Sequence, residues 1–267
     1  MANPAGNYPG RQIFLGSTLD GHPSFVYVVT GRSDKSKGRV ASPYLLDQNA
    51  IRMRPIDSDE KFDAFRHYEA VRIDRETGIL VVSNSQAPVD GTLEFYKFGS
   101  NIAERGFAQE MLALLGPEYD SQTKRTSRIL GISMPFEESW LNVLAITTRD
   151  GEATGNRDYF TGLHLSPGIF RHLPTYNGDV EYSNFHPEYL MRNLTLVELG
   201  QRSPEDLAEA LYDMTDYEDP TYGDLRVCTI AGVRNGRGFG GWELATKNRW
   251  NSLEQFKSYL AGREGEK

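Results

Sequence analysis

The chain has 267 residues, of which 39% are hydrophobic, so it is long enough to bury a substantial core. Asp and Glu (37) outnumber Lys and Arg (29), and the net charge of -8 argues against nonspecific nucleic-acid binding but allows a local basic pocket. The single cysteine, Cys228, excludes an intramolecular disulfide and a multi-cysteine zinc site. We expect one domain over residues 1–267.

The N-terminal residues lack the charged start and apolar core of a signal peptide. No window approaches the run of about 18 apolar residues that a membrane helix needs. We therefore expect a cytoplasmic protein that does not enter a membrane.

Short runs of β-forming residues dominate the N-terminal part of the chain. They predict strands over 11–17, 24–31, 68–74, 79–84 and 93–98. Apolar residues at helical spacing then predict a helix over 102–115, and strands are predicted again over 127–134 and 140–148. The segment 150–189 is rich in Gly, Pro, Asn and aromatic residues, which indicates ordered loops and short strands.

A second helix is predicted to begin at Ser203, which is a good N-cap, with Pro204 in the first turn. An acidic loop and a strand over 225–233 follow it. The order of helix, polar loop and strand thus occurs around 102–133 and again around 203–233. An internal duplication is one explanation, and chance recurrence of a common αβ unit is the other. Antiparallel strands with clustered helices indicate an α+β fold.

The loop that follows the second predicted strand is the first candidate for ligand binding. Residues 31–39 carry four cations, and the two arginines among them, Arg32 and Arg39, offer planar donors suited to a phosphate or a carboxylate. We expect the preceding hairpin, strands 11–17 and 24–31, at the edge of a sheet. The alternative is a solvated basic loop without a ligand.

The sequence supports neither a dinucleotide-binding site nor a histidine metal site. The segment 236–241 matches the glycine spacing of a dinucleotide-binding fingerprint, but Trp242 begins a predicted returning strand where the fingerprint needs a helix, so a hairpin is predicted. The histidines lack metal-ligand spacing, and we expect no metal and no other cofactor. They are His22, His67, His164, His172 and His186.

A series of short motifs occurs in a fixed order. It comprises Tyr8-Pro9-Gly10-Arg11, Gly31-Arg32-Ser33, Tyr68 before an apolar strand, Val82-Ser83-Asn84, Glu118 followed by Thr126-Ser127-Arg128-Ile129, Pro167-Gly168 and the segment 173–178. In this order and spacing the chain resembles the archaeal-type IMP cyclohydrolase family and its longer bacterial relatives. The resemblance extends over about residues 8–200.

The resemblance implies a four-layer αββα sandwich like that of the N-terminal nucleophile (Ntn) hydrolases. That class attacks a carbonyl with Ser, Thr or Cys as its processed first residue. Here Met1 is followed by Ala2. The expected fold is therefore Ntn-hydrolase-like without an N-terminal nucleophile.

The implied reaction is the ring closure of 5-formamidoimidazole-4-carboxamide ribonucleotide to IMP. The resemblance casts Arg32 as a donor to the formyl oxygen, Tyr68 as a second donor or proton relay, and Glu118 as the general base. Asp120 is the alternate base. For substrate binding, Asn84 would contact the carboxamide, and Arg39 or Arg128 the phosphate.

Each of these assignments has a structural alternative. Arg32 and Arg39 could be surface charges, Tyr68 a core aromatic residue, Glu118 a residue after a helix end, and Asn84 a cap of a strand turn. The family's usual Asn-Gly is Asn84-Ser85 here, and its Pro before the Arg-Ile pair is Ser127, which weakens the assigned carboxamide and phosphate contacts more than the fold. Two other functions stay open: an Ntn-like amidohydrolase acting on another nucleotide, and a noncatalytic purine-nucleotide-binding protein. The expected partner is a purine-pathway nucleotide, with no nucleic acid and no membrane; the oligomeric state, a homo-oligomer included, stays open.

Overall fold

A computed structural model describes residues 10–44, 47–61, 63, 66–85, 128–136, 139–150, 154–163, 166–175 and 195–264. This part of the chain is mixed α and β, and every strand pairing in it is antiparallel. The strands are β1 (Arg11–Ser17), β2 (Pro23–Thr30), β3 (Arg39–Tyr44), β4 (Asp47–Pro55), β5 (Tyr68–Ile73), β6 (Leu80–Ser83), β7 (Arg128–Phe136), β8 (Ser139–Asp150), β9 (Thr154–Leu163), β10 (Ile169–Pro174), β11 (Thr195–Glu198), β12 (Glu218–Asp219), β13 (Gly223–Asp224), β14 (Arg226–Phe239) and β15 (Trp242–Asn248). The helices are α1 (Asp34–Lys37), α2 (Pro204–Met214) and α3 (Leu253–Glu264).

The strands form two large sheets. The first sheet has the order β11-β10-β1-β2-β14-β15, the second has the order β3-β4-β5-β6-β7-β8-β9, and β12 pairs with β13 alone. The β1–β2 hairpin therefore lies in the middle of the first sheet, and the prediction of an edge hairpin is wrong. Two long-range partners, β10 and β14, occupy the positions on either side of it.

The two sheets pack face to face around one apolar core. Alternation in β1 directs Ile13 and Leu15 into this core, where they meet residues of the second sheet such as Leu80 and Ile129. Gly131 permits the close approach, because a Cβ there would lie 2.9 Å from Cγ2 of Ile13. The opposite face of the first sheet packs against α2.

Helix α2 begins as predicted. The Ser203 hydroxyl accepts a hydrogen bond from the backbone N–H of Asp206 at 3.1 Å, and Pro204 occupies the first turn. Its buried Leu207 and Leu211 face Val26 and Ala231 of the sheet. None of the described helices is long and apolar enough to cross a membrane.

Most of the predicted strands agree with β1, β2, β5, β6, β7 and β8 to within two residues at each end. The strand predicted over 225–233 corresponds to β14, which ends later, at Phe239, and the returning strand at Trp242 is confirmed as β15. The β3–β4 hairpin and α3 were not predicted. The strand over 93–98 and the helix over 102–115 lie outside the described residues. The α+β character is confirmed, whereas the four-layer arrangement and the single domain over 1–267 stay predictions.

Candidate active site

Two tyrosine hydroxyls meet between the sheets. Tyr27 lies on β2 with its side chain in the core, and Tyr68 is the first residue of β5. Their oxygens are 2.7 Å apart, and the side chains are 0% and 2% exposed. Because the two residues belong to different sheets, the face-to-face packing itself creates the pair.

The pair has one hydroxyl proton to offer. In a hydrogen bond between two hydroxyls, one O–H donates and the other keeps its own proton available. Burial, together with the neighbouring Tyr68, holds the pKa of Tyr27 well above its ordinary value, so its hydroxyl stays protonated at neutral pH. The pair can therefore donate to an oxygen atom that binds beside it.

Arg39, the first residue of β3, brings a positive charge to the same region. Its side chain is 1% exposed, its Nε donates to the carbonyl of Ser36 at 2.8 Å, and its buried Nη1 has no hydrogen-bond partner in the described part of the chain. Burial first, and then the like charge of Arg11, lower the pKa of Arg39, while the two tyrosines raise it. A bound anion would satisfy Nη1 and relieve the repulsion between the two guanidinium groups.

The loop that precedes Arg39 is folded rather than loose. The Ser33 hydroxyl accepts from the N–H of Ser36 at 3.2 Å and caps α1, and the N–H of Gly31 donates to the carbonyl of Leu225 at 2.8 Å. Lys37 is 0% exposed. A solvated loop is thus excluded for Lys37 and Arg39. Arg32, partly buried, lies in the turn between β2 and α1.

Asn84 and Arg128 are brought together at the ends of β6 and β7. The side-chain oxygen of Asn84 accepts from the N–H of Ile129 at 3.0 Å, and Nη1 of Arg128 donates to the carbonyl of Asn84 at 3.4 Å. Both side chains are buried. Asn84 therefore has a structural role in joining the two strands, and its contact with a carboxamide stays a prediction, as does the contact of Arg128 with a phosphate.

The remaining residues considered for the site are the two candidate bases, the single cysteine and the metal-binding side chains. Glu118 and Asp120 lie outside the described residues. Cys228 is a buried thiol, and burial raises its pKa to about 12. Within the described ranges, no group of three or more His, Cys, Asp or Glu side chains could hold a metal ion.

Two members of the site were missed by sequence reasoning. Arg11 is part of a quoted motif but received no role, and Tyr27 lies within the strand predicted over 24–31 but also received none. The one available signal for Tyr27 was a hydroxyl on the inward face of an otherwise apolar strand, where a buried tyrosine normally needs a partner.

A buried guanidinium thus lies in the same region as a hydroxyl pair, a combination of groups suited to an anionic ligand that also carries a hydrogen-bond acceptor. The family model described as "IMP cyclohydrolase-like protein" matches residues 8–236. The chain belongs to this family. A comparison with curated proteins gave no match.

Proposed function

We propose that the protein is an IMP cyclohydrolase that closes 5-formamidoimidazole-4-carboxamide ribonucleotide to IMP with loss of water. The family match over residues 8–236 supports the reaction class. The observation that carries the proposal is the buried Tyr27–Tyr68 hydroxyl pair beside Arg39, whose Nη1 has no partner in the described part of the chain. A formyl oxygen and a phosphate are the two groups of this substrate that match those donors.

The reaction forms one bond between the carboxamide nitrogen and the formyl carbon. The formyl oxygen leaves as water after gaining two protons, one from the carboxamide nitrogen and one from the formamido N–H. Both reacting groups are already on one ring, so holding them in contact removes much of the barrier. The protein's contribution is to polarise the formyl oxygen and to move these protons.

The tyrosine pair fits the first of these tasks. We assign Tyr68 as the donor to the formyl oxygen and Tyr27 as the hydroxyl that orients it. Arg32 would stabilise the charge that develops on the same oxygen, and Glu118, or Asp120 in its place, would accept the carboxamide proton. Arg39, with Arg128 as the alternative, would bind the phosphate, and Asn84 would contact the carboxamide.

The proposal includes the four-layer αββα arrangement of the fold. In the second sheet, Ile129 faces the core between the sheets, so its strand neighbour Leu130 faces away, and Leu130, Ile132 and Val143 are all 0% exposed. Apolar burial on both faces of a sheet is typical of an inner layer. This supports an αββα arrangement without an N-terminal nucleophile.

The experiment is an assay of the purified protein with the formamido substrate, followed by absorbance and by mass spectrometry of the product. Appearance of IMP, with loss of one water from the substrate, supports the proposal. Release of formate with the aminoimidazole carboxamide as product would instead identify an amidohydrolase. Tight binding of IMP without turnover of the formamido substrate would identify a nucleotide-binding protein.

A further inference from the structure

The C-terminal part of the chain contains a cluster of aromatic residues that lies beyond the family match. Trp250, Phe256 and Tyr259, which we call the C-terminal clamp, follow the last matched residue, 236. Their ring centroids are 5.1 to 6.5 Å apart, so the three rings form one packed group. The group is surrounded by cations, with Arg249 4.6 Å above the Trp250 ring.

The clamp contacts the loop that carries Arg32 and Arg39. The indole N–H of Trp250 donates to the carbonyl of Lys37 at 2.8 Å. The Phe256 ring lies against Gly38 so closely that a Cβ on this glycine would be 2.6 Å from its Cζ atom. The Tyr259 hydroxyl accepts from Nζ of Lys37 at 3.4 Å.

A fourth contact fixes the other end of α1. Nη1 of Arg263 donates both to the carboxylate of Asp34 at 2.8 Å and to the Tyr259 hydroxyl at 3.0 Å. The ion pair is partly exposed, so it contributes little by itself. It does, however, place the α3 end of the clamp over the first residue of α1.

Helix α3 is directed at this loop rather than at the central core. Phe256 is its one buried side chain among those described, and its ring leaves no room for a Cβ on Gly38. A helix of four residues such as α1 is not stable in isolation, because the conformational entropy lost in forming the first turn exceeds the stabilisation from its hydrogen bond. The loop therefore depends on outside contacts for its geometry, and the clamp supplies several of them.

We propose that the C-terminal clamp positions the basic loop so that Arg39 can bind the phosphate of the ligand. Arg39 follows Gly38 directly, and its Nε reaches back to the carbonyl of Ser36, so a displacement of Gly38 moves the guanidinium. Trp250, Phe256 and Tyr259 are positioning residues that act through this loop. The identity of the ligand rests on the proposed function; the contact between clamp and loop does not.

The test uses full-length variants that differ in which contact they remove. Trp250→Phe removes the indole N–H but keeps a ring, Phe256→Ala removes the ring beside Gly38, and Phe256→Leu restores most of its volume. Ser258→Ala, at an exposed position of α3, is the matched control. Circular dichroism shows whether each variant retains the fold, and Trp250→Phe keeps the test valid if Phe256→Ala does not fold.

Two measurements are made on each protein. Amide hydrogen exchange over residues 34–40 should accelerate roughly fivefold or more in Trp250→Phe and further in Phe256→Ala, which are the changes expected for losing one hydrogen bond or a buried ring. Exchange in β2 should stay as in the wild type. With the formamido substrate, KM should rise by a similar factor while kcat changes little, because ground-state phosphate binding is what weakens. Phe256→Leu should recover most of both effects.

The outcomes separate the two proposals. Exchange and KM equal to those of Ser258→Ala would overturn the clamp, and so would a loosened loop with an unchanged KM. If the wild type does not turn over the formamido substrate, the proposed function fails, and the clamp is then tested with inorganic phosphate. Phosphate should slow exchange over 34–40 in the wild type and not in Trp250→Phe. Equal protection of both proteins would overturn the clamp.

Discussion

The hydroxyl pair between the sheets predicts a non-additive effect on stability. Tyr68→Phe removes one of two oxygens that are 2.7 Å apart and leaves the Tyr27 hydroxyl, on a side chain that is 0% exposed, without its partner. A buried donor or acceptor without a partner costs about 1 to 3 kcal/mol. Tyr68→Phe should therefore lower the free energy of unfolding by about that amount, and Tyr27→Phe should do the same for the converse reason.

The double variant removes both hydroxyls and leaves nothing unsatisfied. Its loss of stability should be smaller than the sum of the two single losses, with a coupling of about 1 kcal/mol or more. Urea denaturation of the four proteins measures this directly, and each 1 kcal/mol should shift the melting temperature by about 2 to 4 °C in a chain of this size.

Turnover of the same four proteins tests the chemical role. Tyr68→Phe should lower kcat more than Tyr27→Phe does, because Tyr68 is assigned as the direct donor. Stability losses that add to within about 0.5 kcal/mol would show that the hydroxyls do not depend on each other. In that case Tyr27 does not orient the Tyr68 hydroxyl, and the proposed role of the pair in binding the formyl oxygen is wrong.

The remaining predictions concern charge, protonation and metal. Arg32→Lys should lower kcat by roughly tenfold to a hundredfold, because the loss of a planar charged donor costs about 1.5 to 3 kcal/mol, and a rise in KM alone would reassign Arg32 to phosphate binding. Burial lowers the pKa of His172 to about 3, so between about pH 6.5 and pH 3 the unfolded chain binds a proton that the folded chain does not. Lowering the pH from 7 to 5 should therefore reduce the free energy of unfolding by about 2 kcal/mol. In His172→Gln the free energy of unfolding should depend less on pH over this range. Unfolding curves of equal pH dependence in both proteins would refute the histidine's part in it. Dialysis against a chelator should leave the rate unchanged, and a loss that a divalent ion restores would contradict the metal-free mechanism.

Local pattern was enough to predict most strands, because alternation and β-branched residues are properties of short segments. The β3–β4 hairpin was missed because Arg39, Pro43, Arg52 and Arg54 interrupt its apolar pattern. Helix α3 was missed because it buries a single described side chain, Phe256, and so shows little amphipathic periodicity.

The site depends on contacts that no short segment encodes. Tyr27 and Tyr68 are separated by 41 residues and lie in different sheets, so their hydrogen bond follows from strand register and sheet packing. Nζ of the buried Lys37 donates to the carbonyl of Tyr222, which is 185 residues away. Sequence reasoning could identify the family and the basic loop, but not which cations the fold would bury.

The central position of β2 has a consequence for how this protein could change its specificity. The strand is hydrogen-bonded to β1 on one side and β14 on the other, and all eight of its side chains are buried. A substitution in it disturbs two neighbouring strands and the packing on both faces, so few would be tolerated. In the loop that follows this strand, residues 32–36 are exposed or partly buried. Variation in ligand preference among relatives, or in a laboratory selection, should accordingly accumulate in that loop and its contacts, while the tyrosine on β2 stays unchanged.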